Sequence, residues 1–158
     1  MTIRDIASQW EVLLLHPAAT QRPVETVWSP SEYGCHVRDV FRLFDFRLEL
    51  MLTKDDPMFP NWDQDETAIS DHYDLQDPLV VRRELAIAGD LLAERFDAVT
   101  ASEWLRTGLR SDGQGLPWNR LAGICCTTLF IICGMFRAPI NNSCTHQVHD
   151  NPNITFHS

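Results

Sequence analysis

The stretch SPSEYGCHVRDVFRLFDFRLELML, from Ser29 to Leu52, decides the fold class. Ser29 is a good helix cap, Pro30 suits the first helical position, and Glu32 completes a capping box with Ser29. Tyr33, Val37, Val40, Phe41, Phe44, Leu48, Met51 and Leu52 then step by 4, 3, 1, 3, 4, 3 and 1. That spacing lays one apolar stripe along about five helical turns, with Arg38, Arg42, Asp45 and Glu49 mostly off it. A one-sided stripe of this length has to be buried against other helices.

Both flanks supply them. Upstream, Ile6, Trp10, Leu13 and Leu14 stand at helical spacing within 3–15, and His16-Pro17 ends the run because proline disfavours helix at the residue before it. Downstream, Asp77-Pro78 repeats the cap-plus-proline start, and Val81, Leu85, Ala88, Leu92 and Phe96 form a third stripe. The acidic stretch 53–77 is too long for a passive connection. It is expected to pack over one end of the helices, with Phe59 and Trp62 as anchors. Thr100-Ala101-Ser102-Glu103 repeats the capping-box pattern before a short helical turn through Trp104, and Ser111-Asp112-Gly113 reads as a turn. Strict alternation is absent, so no strand is expected. Three stripes leave one side uncovered, and a fourth helix is the common solution, which makes the chain an all-α four-helix bundle.

A length of 158 residues suits one domain, and 44% apolar with 22% charged residues is ordinary for a globular chain. The net charge of -9, from 13 basic and 22 acidic residues, argues against nucleic-acid or anionic-membrane partners. The composition breaks near residue 120. After it stand one basic residue, Arg137, and one acidic residue, Asp150, but four of the five cysteines, Cys125, Cys126, Cys133 and Cys144. Residues 1–15 carry Arg4, Asp5 and Glu11 and lack the apolar run of a secretory signal, so a cytoplasmic location with free thiols is expected. The uncharged run 121–136 has 16 residues, short of the ~20 that span a bilayer. Membrane association through it stands as an alternative, and so does a non-catalytic helical binding or structural module.

Residues 28–112 resemble the DinB-like family of small four-helix-bundle metalloproteins. The likeness rests on W-S-P-x-E-Y-x-x-H-V-R-D-V at Trp28–Val40, D-D-P-x-F-P-N-W-D-Q-D at Asp55–Asp65, Gln76-Asp77-Pro78, and R-S-D-G at Arg110–Gly113. It implies an up-and-down bundle and a divalent metal, zinc or nickel, held by three histidines. One ligand maps onto His36. The other two would come from the last helix, in a pattern like H-D-x-x-H-H. The resemblance also implies thiol-dependent transferase, isomerase or hydrolase chemistry, a small-molecule thiol or substrate as partner, and allows a homodimer.

No such motif is present. Where it should stand, the chain reads LAGICCTTLFIICGM, residues 121–135. Shifting the frame, so that each codon takes the third base of one codon and two of the next, forces Glu at Trp118–Asn119, Leu at Cys125–Cys126 and Val at Met135–Phe136. Cys126–Thr127 and Phe130–Ile131 must each read His or Tyr, and Ile131–Ile132 His, Tyr or Asn. Histidines at i, i+4 and i+5 are thus open, and Ile140–Asn141 can read as a stop. The expectation is a frame slip near Asp112–Gln114. Residues 1–113 would then be the bundle core and 114–158 an aberrant segment, with the fourth helix altered or replaced by an apolar cysteine-rich run. The metal would be lost or weakened in this chain, because stable zinc sites usually have three or four protein ligands.

Other candidates read more simply. Cys144, His146 and His149 have ligand-like spacing but, like His157, lie in the tail the slip would create. Cys35 and His36 are neighbours, and adjacent helical side chains diverge by ~100°, too far apart for a nucleophile pair. Asp63, Asp65 and Glu66 read as a solvated acidic loop, with Trp62 near the mouth of the pocket. No catalytic residue is assigned.

Overall fold

The computed structural model describes residues 2–111 and 115–117. The expected fourth helix, the run 121–136 and the cluster 144–149 lie outside the described residues.

Among the described residues four α-helices appear, α1 (Ile3–Leu14), α2 (Pro30–Thr53), α3 (Gln64–Ser70) and α4 (Pro78–Ala98), with 3-10 turns at Tyr73–Leu75 and Glu103–Leu105. Their starts have local causes. Thr2 and Asp5 form a capping box on α1, with Asp5 N donating to Thr2 Oγ1 at 3.1 Å and Thr2 N to Asp5 Oδ2 at 2.7 Å. Ser29 and Glu32 do the same on α2, and Asp77 caps α4 ahead of Pro78. Each cap satisfies donors that the first helical turn leaves unpaired.

Ion pairs give the directions. Arg4 reaches Asp97 at 3.0 Å and Arg82 reaches Glu11 at 3.0 Å, so α1 runs antiparallel to α4. Arg38 and Arg42 both reach Glu84 at 3.0 Å, while Arg95 reaches Glu49 at 3.8 Å and pairs with Asp45, so α2 runs parallel to α4. Parallel neighbours need a return crossing, which explains the length of 54–77. It is not passive: Phe59 is 2% exposed and α3 sits within it. α4 packs along both α1 and α2, whereas α1 and α2 touch each other little. The three stripes meet as expected, and Trp10, Phe41, Leu48, Met51, Leu85 and Leu92 are fully buried between them. No helix among the described residues is long and apolar enough to cross a membrane.

Two expectations are corrected. A two-stranded antiparallel ribbon, β1 (Thr107–Leu109) with β2 (Gly115–Pro117), exists where no strand was expected. Three-residue strands are too short to show alternation, and this one is fixed by a distant segment. Phe59 N donates to Leu109 O at 2.7 Å, and Leu109 N to Pro57 O at 2.8 Å. Gly108 in β1 lies against the Phe59 ring, where a Cβ would overlap Cε2 and Cζ, so the close approach requires glycine. Second, Arg38 was placed off the stripe of α2, but it is only 4% exposed.

Candidate functional site

Trp28 precedes the cap of α2 and packs edge-on against Tyr33 at 5.3 Å, a hydrophobic staple that fixes the chain's entry into the helix. The staple sets the indole beside His36, 5.8 Å between centroids, and against Tyr73 at 6.1 Å. From the crossing segment Trp62 stacks on the other partner of the group, His36, at 5.4 Å and 13°. His36 is therefore held by two indoles and is 3% exposed. Its Nδ1 is buried with no hydrogen-bond partner in the protein. Burial pushes its pKa down, against the opposing pull of Asp39 and Asp65. At neutral pH the ring is neutral, the form that can ligate a metal.

Beside this sandwich lies a cavity of about 410 Å³ lined by Trp28, Ala68 and Ile69 with Arg22, Glu32, Asp65, His72 and Asp74. Arg22 is spent on Glu32: its Nε donates to Oε2 at 2.9 Å and its Nη2 to Oε1. Burial raises the Glu32 pKa, but the bonds from Arg22 and from Ser29 outweigh it and hold the carboxyl below its ordinary value. Asp65 and Asp74 leave the lining net acidic. His72, at φ 50, turns the chain between α3 and the Tyr73 turn into this wall.

Behind the sandwich is a buried polar network. Arg38 donates to both Asp39 oxygens at 2.9 and 3.0 Å, to Gln76 Oε1 at 2.7 Å and to Glu84 Oε2 at 3.0 Å. Tyr73 Oη donates to Asp39 Oδ2 at 2.6 Å, and Gln76 Nε2 donates to the Asp71 carbonyl at 2.9 Å. The network ties α2, α4 and the turn at Tyr73–Leu75 together, and so holds the wall that carries Trp62 and His72. Burial, with Asp39 adding to it, pushes the Tyr73 phenol well above its ordinary pKa, so it stays a donor.

Cys35 is 0% exposed and its Sγ donates to Gln76 Oε1 at 3.5 Å. Burial pushes the thiol up to about 12, so it is not a nucleophile at neutral pH. Peptide mapping after iodoacetamide treatment at pH 8 should leave Cys35 unlabelled in the native chain and label it in urea. Native-state labelling within minutes would contradict the burial. Asp63 caps α3, its Oδ1 accepting from Asp65 N at 2.9 Å and Glu66 N at 3.0 Å, so these acidic residues start a helix.

His36 offers a buried imidazole nitrogen with no partner, which is ligand-like. No group of three His, Cys, Asp or Glu side chains that could hold an ion occurs among the described residues. Among these residues one imidazole does not fit a three-histidine site.

No protein-family profile matches the chain, and no curated protein matches it. Two solved structures do. YfiT from Bacillus subtilis, a probable metal-dependent hydrolase with an unusual four-helix bundle topology, matches with a TM-score of 0.74 at 12% identity, over 84% of this chain and 78% of that one. A mycothiol-dependent maleylpyruvate isomerase matches with a TM-score of 0.64 at 15% identity, over 84% of this chain and 56% of that one. This chain thus spans just over half of the isomerase. At these identities the likeness establishes the fold. It is a four-helix bundle, as expected, but the consecutive long helices α2 and α4 run parallel instead of up and down.

Proposed function

We propose that this chain carries the scaffold of a DinB-like metal-dependent transferase or hydrolase, with His36 the surviving ligand of an incomplete site. The observation that supports this best is the His36 imidazole, buried between two indoles with an unpartnered nitrogen. Leaving a buried polar atom unpaired costs about 1–3 kcal/mol, which a bound ion would relieve. The two structural relatives, one described as metal-dependent and one as mycothiol-dependent, point the same way. The remaining ligands are absent from 121–136 because the frame slips near 112–114, so this chain is impaired. The cavity beside Trp28 is the substrate pocket of that scaffold, and its acidic lining disfavours anionic ligands.

Metal content tests the reading. The purified chain is expected to hold well under one equivalent of zinc or nickel. Restoring the frame by one base near codons 112–114 should raise this to about one equivalent, and His36→Ala in the restored chain should abolish it. Stoichiometric metal in the present chain would overturn the missing-ligand account. At the gene level, a Cys126 codon ending in T would put Tyr where the first histidine is needed and would overturn the slip.

A further inference from the structure

We propose that the outer face of α4 is a self-complementary surface through which two copies of this chain pair about a two-fold axis at Ile87. The inner face of α4 buries Val81, Leu85, Ala88 and Leu92 against α1 and α2. The outer face carries Val80, 43% exposed, Ile87, 54%, and Leu91, 53%, together with exposed Arg83 and Glu94. At 100° per residue these five lie within an arc of about 80°.

Their spacing is 3, 4, 4 and 3, a palindrome centred on Ile87. Only an antiparallel pair uses that symmetry. Ile87 then meets Ile87, Val80 lies level with Glu94 of the second copy, and Arg83 lies level with Leu91. With a rise of about 1.5 Å per residue, Arg83 falls about 1.5 Å along the axis from Asp90 of the second copy and about 4.5 Å from its Glu94. Both are within side-chain reach. A parallel pair would instead set Arg83 against Arg83.

The charges are available for this. Neither Arg83 nor Glu94 makes an ion pair among the described residues, and Asp90 has a loose, exposed contact with Arg4 at 3.8 Å. Among the described residues the face is open, since α4 meets α1 and α2 on its other side. Three aliphatic side chains per copy make a small interface, so the dimer is weak, with a dissociation constant of about micromolar order. The flanking charges then set its orientation and specificity.

Sedimentation velocity of the full chain over a concentration series tests this. The chain should pass from monomer to dimer across the micromolar range, and Ile87→Lys should leave monomer alone. Arg83→Glu should weaken pairing about tenfold or more, because the symmetry counts each charge twice. Asp90→Arg with Glu94→Arg should do the same, and combining all three changes should restore pairing to within about threefold of the parent. All four sites are exposed, so circular dichroism should show unchanged helix content. A chain monomeric throughout, a dimer indifferent to the reversals, or a triple variant no tighter than its components would each overturn the proposal.

Discussion

Arg38→Met is expected to lower the unfolding free energy by about 3–5 kcal/mol, read as a shift in urea midpoint at unchanged slope. Arg38 is 4% exposed and its guanidinium donates to Asp39, Gln76 and Glu84. Methionine fills part of the volume and removes the charge. Asp39, whose side chain is 14% exposed, would keep Tyr73 and the longer bond from Arg42 at 3.4 Å. Gln76 Oε1 would keep the weak thiol donor of Cys35 alone among these contacts. A buried ion pair broken on one side costs far more than the pair contributes, because a charge is left uncompensated. Arg38→Lys should recover little, since one ammonium cannot reproduce the fork that reaches three acceptors. Arg38→Met with Asp39→Asn should cost clearly less than the sum of the two single changes. A cost below about 1 kcal/mol for Arg38→Met would show that the network does not hold the turn at Tyr73–Leu75.

Trp10→Ala is expected to cost about 3–5 kcal/mol by the loss of buried area and the cavity left behind. Trp10 is 0% exposed in the core that also contains Phe41, Leu85 and Leu92. For a chain of 158 residues each kcal/mol moves the thermal midpoint by about 2–4 °C, so the midpoint should fall by more than about 6 °C. Typical domain stabilities are about 5–15 kcal/mol, so the variant would sit close to unfolding. Leu15→Ala, at a side chain 54% exposed just past α1, is the matched comparison and should change stability by no more than about 0.5 kcal/mol. Equal effects at the two sites would contradict the burial assigned to Trp10.

The helices were legible because burial on a helix repeats every 3.6 residues and leaves a one-dimensional trace. Val37, Val40, Phe41, Phe44, Leu48 and Met51 stand on the stripe of α2 and all are buried. Arg38 escaped that reasoning because its cover comes from Tyr73 and Gln76, more than thirty residues away, and periodicity is blind to such contacts. α3 was hidden by its own composition. Asp63 followed three residues later by Glu66 has the spacing of a capping box, but it reads first as an acidic loop. The likeness singled out His36, yet the indoles that bury it come from Trp28 and Trp62 on separate segments, and only folding brings them together.

The arrangement of α4 against both other long helices has a consequence for how the chain is made. α1 and α2 touch little, so neither can bury its stripe until α4 has been synthesised. Arg4 meets Asp97, 93 residues away, and Arg38 meets Glu84, 46 residues away. Contacts this distant in sequence make assembly wait for loop closure and slow it relative to a simple helical hairpin. On the ribosome, α1 and α2 are therefore expected to emerge as exposed amphipathic segments that need protection from aggregation until about residue 98 is clear of the exit tunnel. The three long helices that make those contacts are all encoded before Asp112.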